Sequence, residues 1–358
     1  MADTASGAFF SKMHKERTMK AAVLEKRGAD GLKVQTVADP ERKPGEALMK
    51  VKASSLNRVD AYMRDNGQGI THELPIILGV DGVGEIEECD PGSHLRRGQR
   101  VMLFSSLFCQ KCRYCLDGEQ PLCVNLKIAG EHRDGSFAEY ISMPERCFVP
   151  LPDQISFEDA GVLPAAYNTA YRMLFGKRAL QPGETVLVVG AGGGVSTACI
   201  QLAKLIGARV LVTSSSEKKQ KQAEAIGADA GVNYKTEHVS KGILELTDGV
   251  GVDMVIDSVG EASWGESLRS LRRGGRIVTC GATTGGNPPV ELQRMFIRQL
   301  DLYGSTGANF DECRNMLSMV ANTGLKPVID SRFSLDQIGD AYDRLEAADR
   351  FGKVLVTI

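Results

Sequence analysis

The run Thr185-Val186-Leu187-Val188-Val189-Gly190-Ala191-Gly192-Gly193-Gly194-Val195-Ser196 decides the fold. Its first half is apolar without alternation, as expected of a strand buried on both faces in a parallel sheet. The glycines follow at once, and Val195 to Ile206 then has helical spacing until Gly207 ends it. A glycine motif alone is weak, but strand, glycine turn and helix in this order form the context of a dinucleotide site. Glycines let the backbone approach a pyrophosphate, and a helix N-terminus offers unpaired N–H groups and partial positive charge. On this reading Gly190, Gly192, Gly193, Gly194 and Val195 hold the cofactor. Ser196 stands where a third glycine is usual and is small enough to keep helix–strand packing.

The pattern continues outward from this run. Toward the C-terminus come a strand at Val210–Thr213, a helix at Lys218–Ile226 and strands at Val232–Tyr234, Met254–Ile256 and Arg276–Thr279. This alternation predicts a parallel, doubly wound sheet. Ser258 and Gly281 follow later strands, at the sheet edge that faces a ligand. Two helices, Phe310–Asn322 and Leu335–Glu346, precede a closing strand, Val354–Ile358, expected to return to the first domain. Toward the N-terminus the chain changes to short strands between Gly/Pro turns: Lys20–Leu24, Glu46–Ala53, Gly82–Cys89 and Arg100–Phe104. That half predicts an all-β, barrel-like unit.

The end of the second parallel strand bears on the cofactor. A site for NAD usually places an acid there, bonded to the ribose 2′-OH. Here the chain reads Thr213-Ser214-Ser215-Ser216-Glu217-Lys218-Lys219. Hydroxyls and lysines suit a 2′-phosphate, and Glu217 falls one turn too late to repel it, so NADP(H) is expected.

Four of nine cysteines crowd together as Cys109-x2-Cys112-x2-Cys115-x7-Cys123. Four thiolates suit tetrahedral Zn²⁺ and leave no open position for substrate, which predicts one structural zinc per chain. An odd cysteine count disfavours a disulfide framework. The formal net charge of -2 over 358 residues, with no run of one sign, argues against a nucleic-acid or membrane surface. No apolar run approaches the roughly 20 residues of a membrane span. In Met1–Thr18, Asp3 and Glu16 interrupt the aromatic and basic residues and no secretory core follows, so a disordered tail on a cytoplasmic protein is expected.

Taken together, these features resemble the medium-chain dehydrogenase/reductase superfamily, which includes zinc alcohol dehydrogenases and NADPH:quinone oxidoreductases. The likeness runs from Met19 to Ile358. It rests on Leu56-Asn57-Arg58-Val59-Asp60, Leu78-Gly79-Val80-Asp81-Gly82-Val83-Gly84, the cysteine lobe, Asp134-Gly135-Ser136-Phe137-Ala138-Glu139-Tyr140, the glycine run, Tyr303-Gly304-Ser305 and Gly352-Lys353-Val354. The resemblance implies an α/β chain in which a GroES-like β-rich catalytic domain is interrupted by a Rossmann domain. The expected boundaries are an extension over 1–18, a catalytic domain over 19–165 and 308–358 with its zinc lobe at 105–125, and a Rossmann domain over 166–307. It also implies an active site between the domains and a homodimer or homotetramer.

The departures from the zinc alcohol dehydrogenase pattern are informative. Where that branch ligates catalytic zinc, this chain has Asn57 for Cys, Val80 for His and, on an ungapped reading, Pro164 at the third position. Catalytic zinc is therefore expected to be absent. The quinone reductase branch implies Ser216, Lys219 and Tyr234 at the 2′-phosphate, with Lys353 also at the cofactor. Asn57, Asp60, Tyr62 and Arg64, at alternating spacing, and Thr169 near the nicotinamide are the candidate catalytic residues. Without zinc, charge building on a substrate oxygen must be met by hydrogen-bond donors or a proton. A conjugated C=C or a quinone delocalises that charge, so the expected reaction is NADPH-dependent reduction of quinones or α,β-unsaturated carbonyls. A zinc-independent carbonyl/alcohol dehydrogenase, or an NADPH-binding structural or regulatory protein with little turnover, are the alternatives.

Overall fold

The computed structural model describes residues 17–67 and 72–358. The expectation of a disordered tail falls almost entirely outside them. A six-stranded, all-parallel sheet runs in the order Ala230–Asn233, Arg209–Ser214, Thr185–Val188, Val252–Asp257, Leu271–Thr279, Asp301–Gly304. The chain starts in the middle at Thr185–Val188, builds out to one side, then crosses to Val252–Asp257 and builds the other. Between those two central strands the connections diverge, and their carboxyl ends open a crevice. Val186, Leu187 and Val188 are fully buried, which is why the strand reads as an unbroken apolar run.

The other domain is mostly antiparallel. Its larger sheet orders Phe148–Pro150, Arg100–Leu103, Val83–Glu88, Glu46–Leu56, Lys353–Thr357 and Ile329–Ser334, and Tyr140–Pro144 also pairs with Glu46–Leu56. The closing strand is thus interior, antiparallel to Glu46–Leu56 and parallel to Ile329–Ser334. A smaller sheet joins Leu32–Ala38, Thr18–Leu24 and Ile76–Ile77.

Of the helices that escaped the pattern reading, two shape the cleft. Arg58–Asp65 follows directly on the Glu46–Leu56 strand, and Asp60 Oδ2 accepts a hydrogen bond from the Asn57 N–H at 2.8 Å. Pro164–Phe175 opens with proline, which helix starts tolerate, and packs on the Gly194–Leu205 and Phe310–Thr323 helices. One continuous apolar core, including Tyr167, Met173, Ala198 and Met316, therefore spans both domains. Among the described residues no helix is long and apolar enough to cross a membrane.

Candidate active site

A cleft of about 550 Å³ lies between the domains. Asn57, Tyr62, Thr169 and Lys353 line it, facing Gly190, Gly193, Gly194, Val195, Ser258 and Gly281. An adjoining cavity of about 220 Å³ is lined by Gly190, Gly192, Gly193, Ser215, Lys219 and Tyr234, with Arg58 and Arg350. The glycines are required here. Gly190 has φ of 77°, in the left-handed region. A Cβ on Gly192 would stand 2.9 Å from the Arg350 carbonyl oxygen, and one on Gly194 would stand 2.6 Å from Lys353 Cδ. The helix Gly194–Leu205 begins at the cleft, so its free N–H groups and partial positive charge favour an anion there. This groove fits the diphosphate of a nicotinamide dinucleotide.

The base of the cleft is a buried polar cluster. Lys353 Nζ lies 3.2 Å from Asp81 Oδ2 and donates to Leu56 O at 2.7 Å and to Asn57 Oδ1. Asn57 Nδ2 donates to Asp81 Oδ2 at 2.8 Å, and the Ala165 N–H donates to Asp81 Oδ1 at 2.7 Å. Burial pushes the Lys353 ammonium below its usual pKa, and Asp81 opposes that shift. Both ends of the Asn57 amide are engaged inside the protein, so Asn57 positions Lys353 and Asp81 rather than donating to a substrate.

Asp60 and Arg64 depart from their expected place in the cleft. On a helix, residues two apart point to different sides, so the alternating spacing of Asp60, Tyr62 and Arg64 does not give one face. Tyr62 reaches the cleft. Asp60 is buried beneath the helix start, and burial pushes its carboxyl up to about 7. Arg64 pairs with Asp65 at 2.6 Å and Glu346 at 2.8 Å and lies over the Tyr342 ring. Ser216 also differs: its hydroxyl accepts the Lys219 N–H at 3.3 Å and caps the Glu217–Ala225 helix, while Ser215 lines the cavity. The Tyr62 and Thr169 hydroxyls have no hydrogen-bond partner among the described residues, which leaves them available in the cleft. Sequence reasoning missed Arg58 as a site residue, although it sits inside a quoted motif, and missed Arg350, which no local pattern marks.

The four clustered cysteines converge, their sulfurs all within 4.8 Å of one another. Cys112 and Cys115 are 3.5 Å apart and Cys109 and Cys115 4.0 Å, with no disulfide. Tetrahedral Zn–S bonds of about 2.3 Å put sulfurs about 3.8 Å apart, so the set fits zinc. Backbone N–H donors at Lys111 and Cys112 lower the Cys109 thiol to about 6, favouring the thiolate that a metal needs. The lobe is tied down by Arg172, whose buried guanidinium joins Glu119 of the lobe to Glu312, 2.9 Å away on the Phe310–Thr323 helix. His72, Glu131 and His132 form a second compact group. There Arg27 donates to His72 Nδ1 at 3.2 Å and the Ile128 N–H to His132 Nδ1 at 3.2 Å. Neutral rings held so carry their proton on Nε2, opposite in polarity to metal-bound histidines, whose second nitrogen donates outward.

Comparison with known proteins agrees with this architecture. The alcohol dehydrogenase GroES-like domain family matches residues 43–153, and the zinc-binding dehydrogenase family matches 194–322. The chain belongs to the medium-chain dehydrogenase/reductase superfamily and is an oxidoreductase of that family, whose zinc-type members imply a nicotinamide cofactor and zinc. It is 34% identical to a zinc-type alcohol dehydrogenase-like protein of Schizosaccharomyces pombe, across 92% of this chain and 96% of that protein. An acryloyl-coenzyme A reductase of Metallosphaera sedula is 32% identical, across 95% of this chain and 100% of the relative. The crystal structure of an NAD-dependent alcohol dehydrogenase, 37% identical, superposes with a TM-score of 0.91 over 95% of this chain and 100% of its own.

Proposed function

We propose that the protein is an NADPH-dependent reductase of α,β-unsaturated carbonyls or quinones, holding one structural zinc in the cysteine lobe and none at the catalytic cleft. The observation that carries this reading is the base of the cleft. Asn57 contacts Lys353, Asp81 contacts both, and Ala165, beside Pro164, donates to Asp81. A buried ammonium with its own carboxylate occupies this corner, and neither valine nor proline offers a ligand atom. A second cation there would meet Lys353 in a region of low dielectric.

A bound nicotinamide supplies the hydride. The protein's part is to receive the negative charge that spreads onto the substrate oxygen. The Tyr62 and Thr169 hydroxyls meet it as donors, and Tyr62 or water delivers the proton that completes reduction. One well-placed donor is worth about 3 kcal/mol at the transition state. The acryloyl-coenzyme A reductase relative supports conjugated C=C reduction as the reaction class. NADPH is supported by Ser215, Lys219 and Tyr234 in one cavity with no acid among its strand-end residues. Replacing Lys219 by Ala is expected to weaken NADPH at least tenfold more than NADH; equal weakening removes the 2′-phosphate assignment.

The alcohol dehydrogenase relatives favour a second reading, carbonyl reduction. Oxidation of NADPH with one conjugated enone separates the two: a saturated ketone establishes C=C reduction, and an allylic alcohol establishes carbonyl reduction.

A further inference from the structure

The central strand Val252–Asp257 ends on a fully buried carboxyl group. Asp257 Oδ1 accepts the Val259 N–H at 2.8 Å and the Gly260 N–H at 3.1 Å. Its Oδ2 accepts the Ser263 and Ser267 hydroxyls, each at 2.7 Å. The two serines stand four residues apart, on one face of the helix Glu261–Ser270. All four donors are neutral. Burying a carboxyl group is costly unless donors meet its oxygens, and here the turn and the helix that follow the strand both converge on one side chain.

The turn so held is part of the cleft wall. Ser258 and Val259 line the cleft from this turn, and Gly281, Thr283 and Thr284 line it from the loop after the next strand, Leu271–Thr279. That loop bonds to the carbonyls of the turn. Thr284 donates to Val259 O twice, from its N–H and from its hydroxyl, both at 2.8 Å. Thr283 Oγ1 donates to Ser258 O at 3.1 Å. The N–H of Val259 and the carbonyl of Ser258 belong to one planar peptide group, and so do the N–H of Gly260 and the carbonyl of Val259. Each of these two peptide groups therefore grips Asp257 by one end and a threonine by the other. The fit is close. Gly260 has φ of 93°, and a Cβ there would stand 2.4 Å from Gly285 O. A Cβ on Gly281 would stand 3.1 Å from Ser258 O.

We propose that Asp257 is a positioning residue for hydride transfer. By fixing the N–H ends of two peptide groups it aims their carbonyls at the threonine loop, and so sets the wall that faces Tyr62 and Thr169 across the cleft. A shift of about 1 Å in such a wall is enough to cost about 100-fold in rate. This rests on the reading of the cleft as the place of hydride transfer, and not on the choice between NADPH and NADH or on the substrate.

The test is titration of the full chain, Asp257→Ala and Asp257→Asn with NADPH and with NADH. Calorimetry reads affinity, and the emission of the reduced nicotinamide ring, which changes when protein holds the ring, reads its placement. Asp257→Ala is expected to lose most of the emission change while affinity falls by less than about tenfold, the weight of one net hydrogen bond. Asp257→Asn keeps an oxygen for the two N–H groups and offers its amide to a serine, and is expected to retain the native emission. If Asp257→Ala keeps the native emission, or if Asp257→Asn loses it as fully as Asp257→Ala, the proposal is overturned. An emission loss that comes with a fall in affinity well beyond tenfold also overturns it, because the residue then only holds the fold. If the native chain changes the emission of neither cofactor, the cleft reading itself fails. Should Asp257→Ala not fold, Asp257→Ser, which leaves a single short acceptor at the turn, takes its place under the same expectation.

Discussion

Among the candidate catalytic side chains, Tyr62 and Thr169 enter the cleft with free hydroxyls, while Asn57, Asp60 and Arg64 are spent on holding the structure. Tyr62→Phe is expected to lower kcat roughly 100-fold, the usual weight of a positioned proton donor, with a smaller effect on KM. Unchanged turnover would pass the role to Thr169 or water. Asp60 makes a separate prediction. Its folded-state pKa of about 7 lies above the ordinary 3.8, so folding favours the neutral carboxyl. That contribution is present below pH 4 and is lost as pH rises through 7. Asp60→Asn keeps an acceptor for the Asn57 N–H and stays neutral. At pH 8 the variant is expected to be more stable than the native chain, by at most about 4 kcal/mol, the gap closing toward pH 4. Urea unfolding at several pH values measures this, and a pH-independent gap would contradict it.

At the scale of elements, the nucleotide-binding strand, glycine turn and helix were legible because burial on both faces leaves an unbroken apolar run. The convergence of the four cysteines was legible because their spacing is local. The helix Arg58–Asp65 was not, since charged residues at 58, 60, 64 and 65 hide its apolar face and its residues mimic a strand's alternation. The cleft base was not legible either, because Lys353 and Asn57 meet from opposite ends of the chain. The lobe has a testable composition: one zinc per chain by metal analysis, and none in Cys112→Ser, with the parallel sheet intact by circular dichroism. Two zincs would overturn the assignment of the cleft as metal-free. Arg172 ties lobe, cleft helix and Phe310–Thr323 together. Its replacement by Ala strands Glu312, which is 12% exposed, and is expected to cost about 3 kcal/mol in chemical unfolding.

For the whole molecule, the parallel sheet ends at an edge strand, Asp301–Gly304, with backbone groups free on one side. Beside it the helix Leu292–Arg298 exposes Leu292, Phe296 and Ile297, between 56% and 69% of each. We propose that a second copy pairs along this edge and covers those side chains in a two-fold dimer. Phe296→Lys is expected to shift light-scattering mass from dimer toward monomer; a native chain that is already monomeric would end the proposal.

The interior position of Lys353–Thr357 also orders events during synthesis. Its partner Glu46–Leu56 leaves the ribosome about three hundred residues earlier, and its last residues, Ala53–Leu56, wait unpaired on one side while Tyr140–Pro144 covers the rest and the six parallel strands in between emerge as an uninterrupted unit. The nucleotide domain can therefore assemble first, as domains generally do in turn. The barrel half, meanwhile, presents an unpaired edge of the kind that recruits chaperones or, when crowded, its own copies.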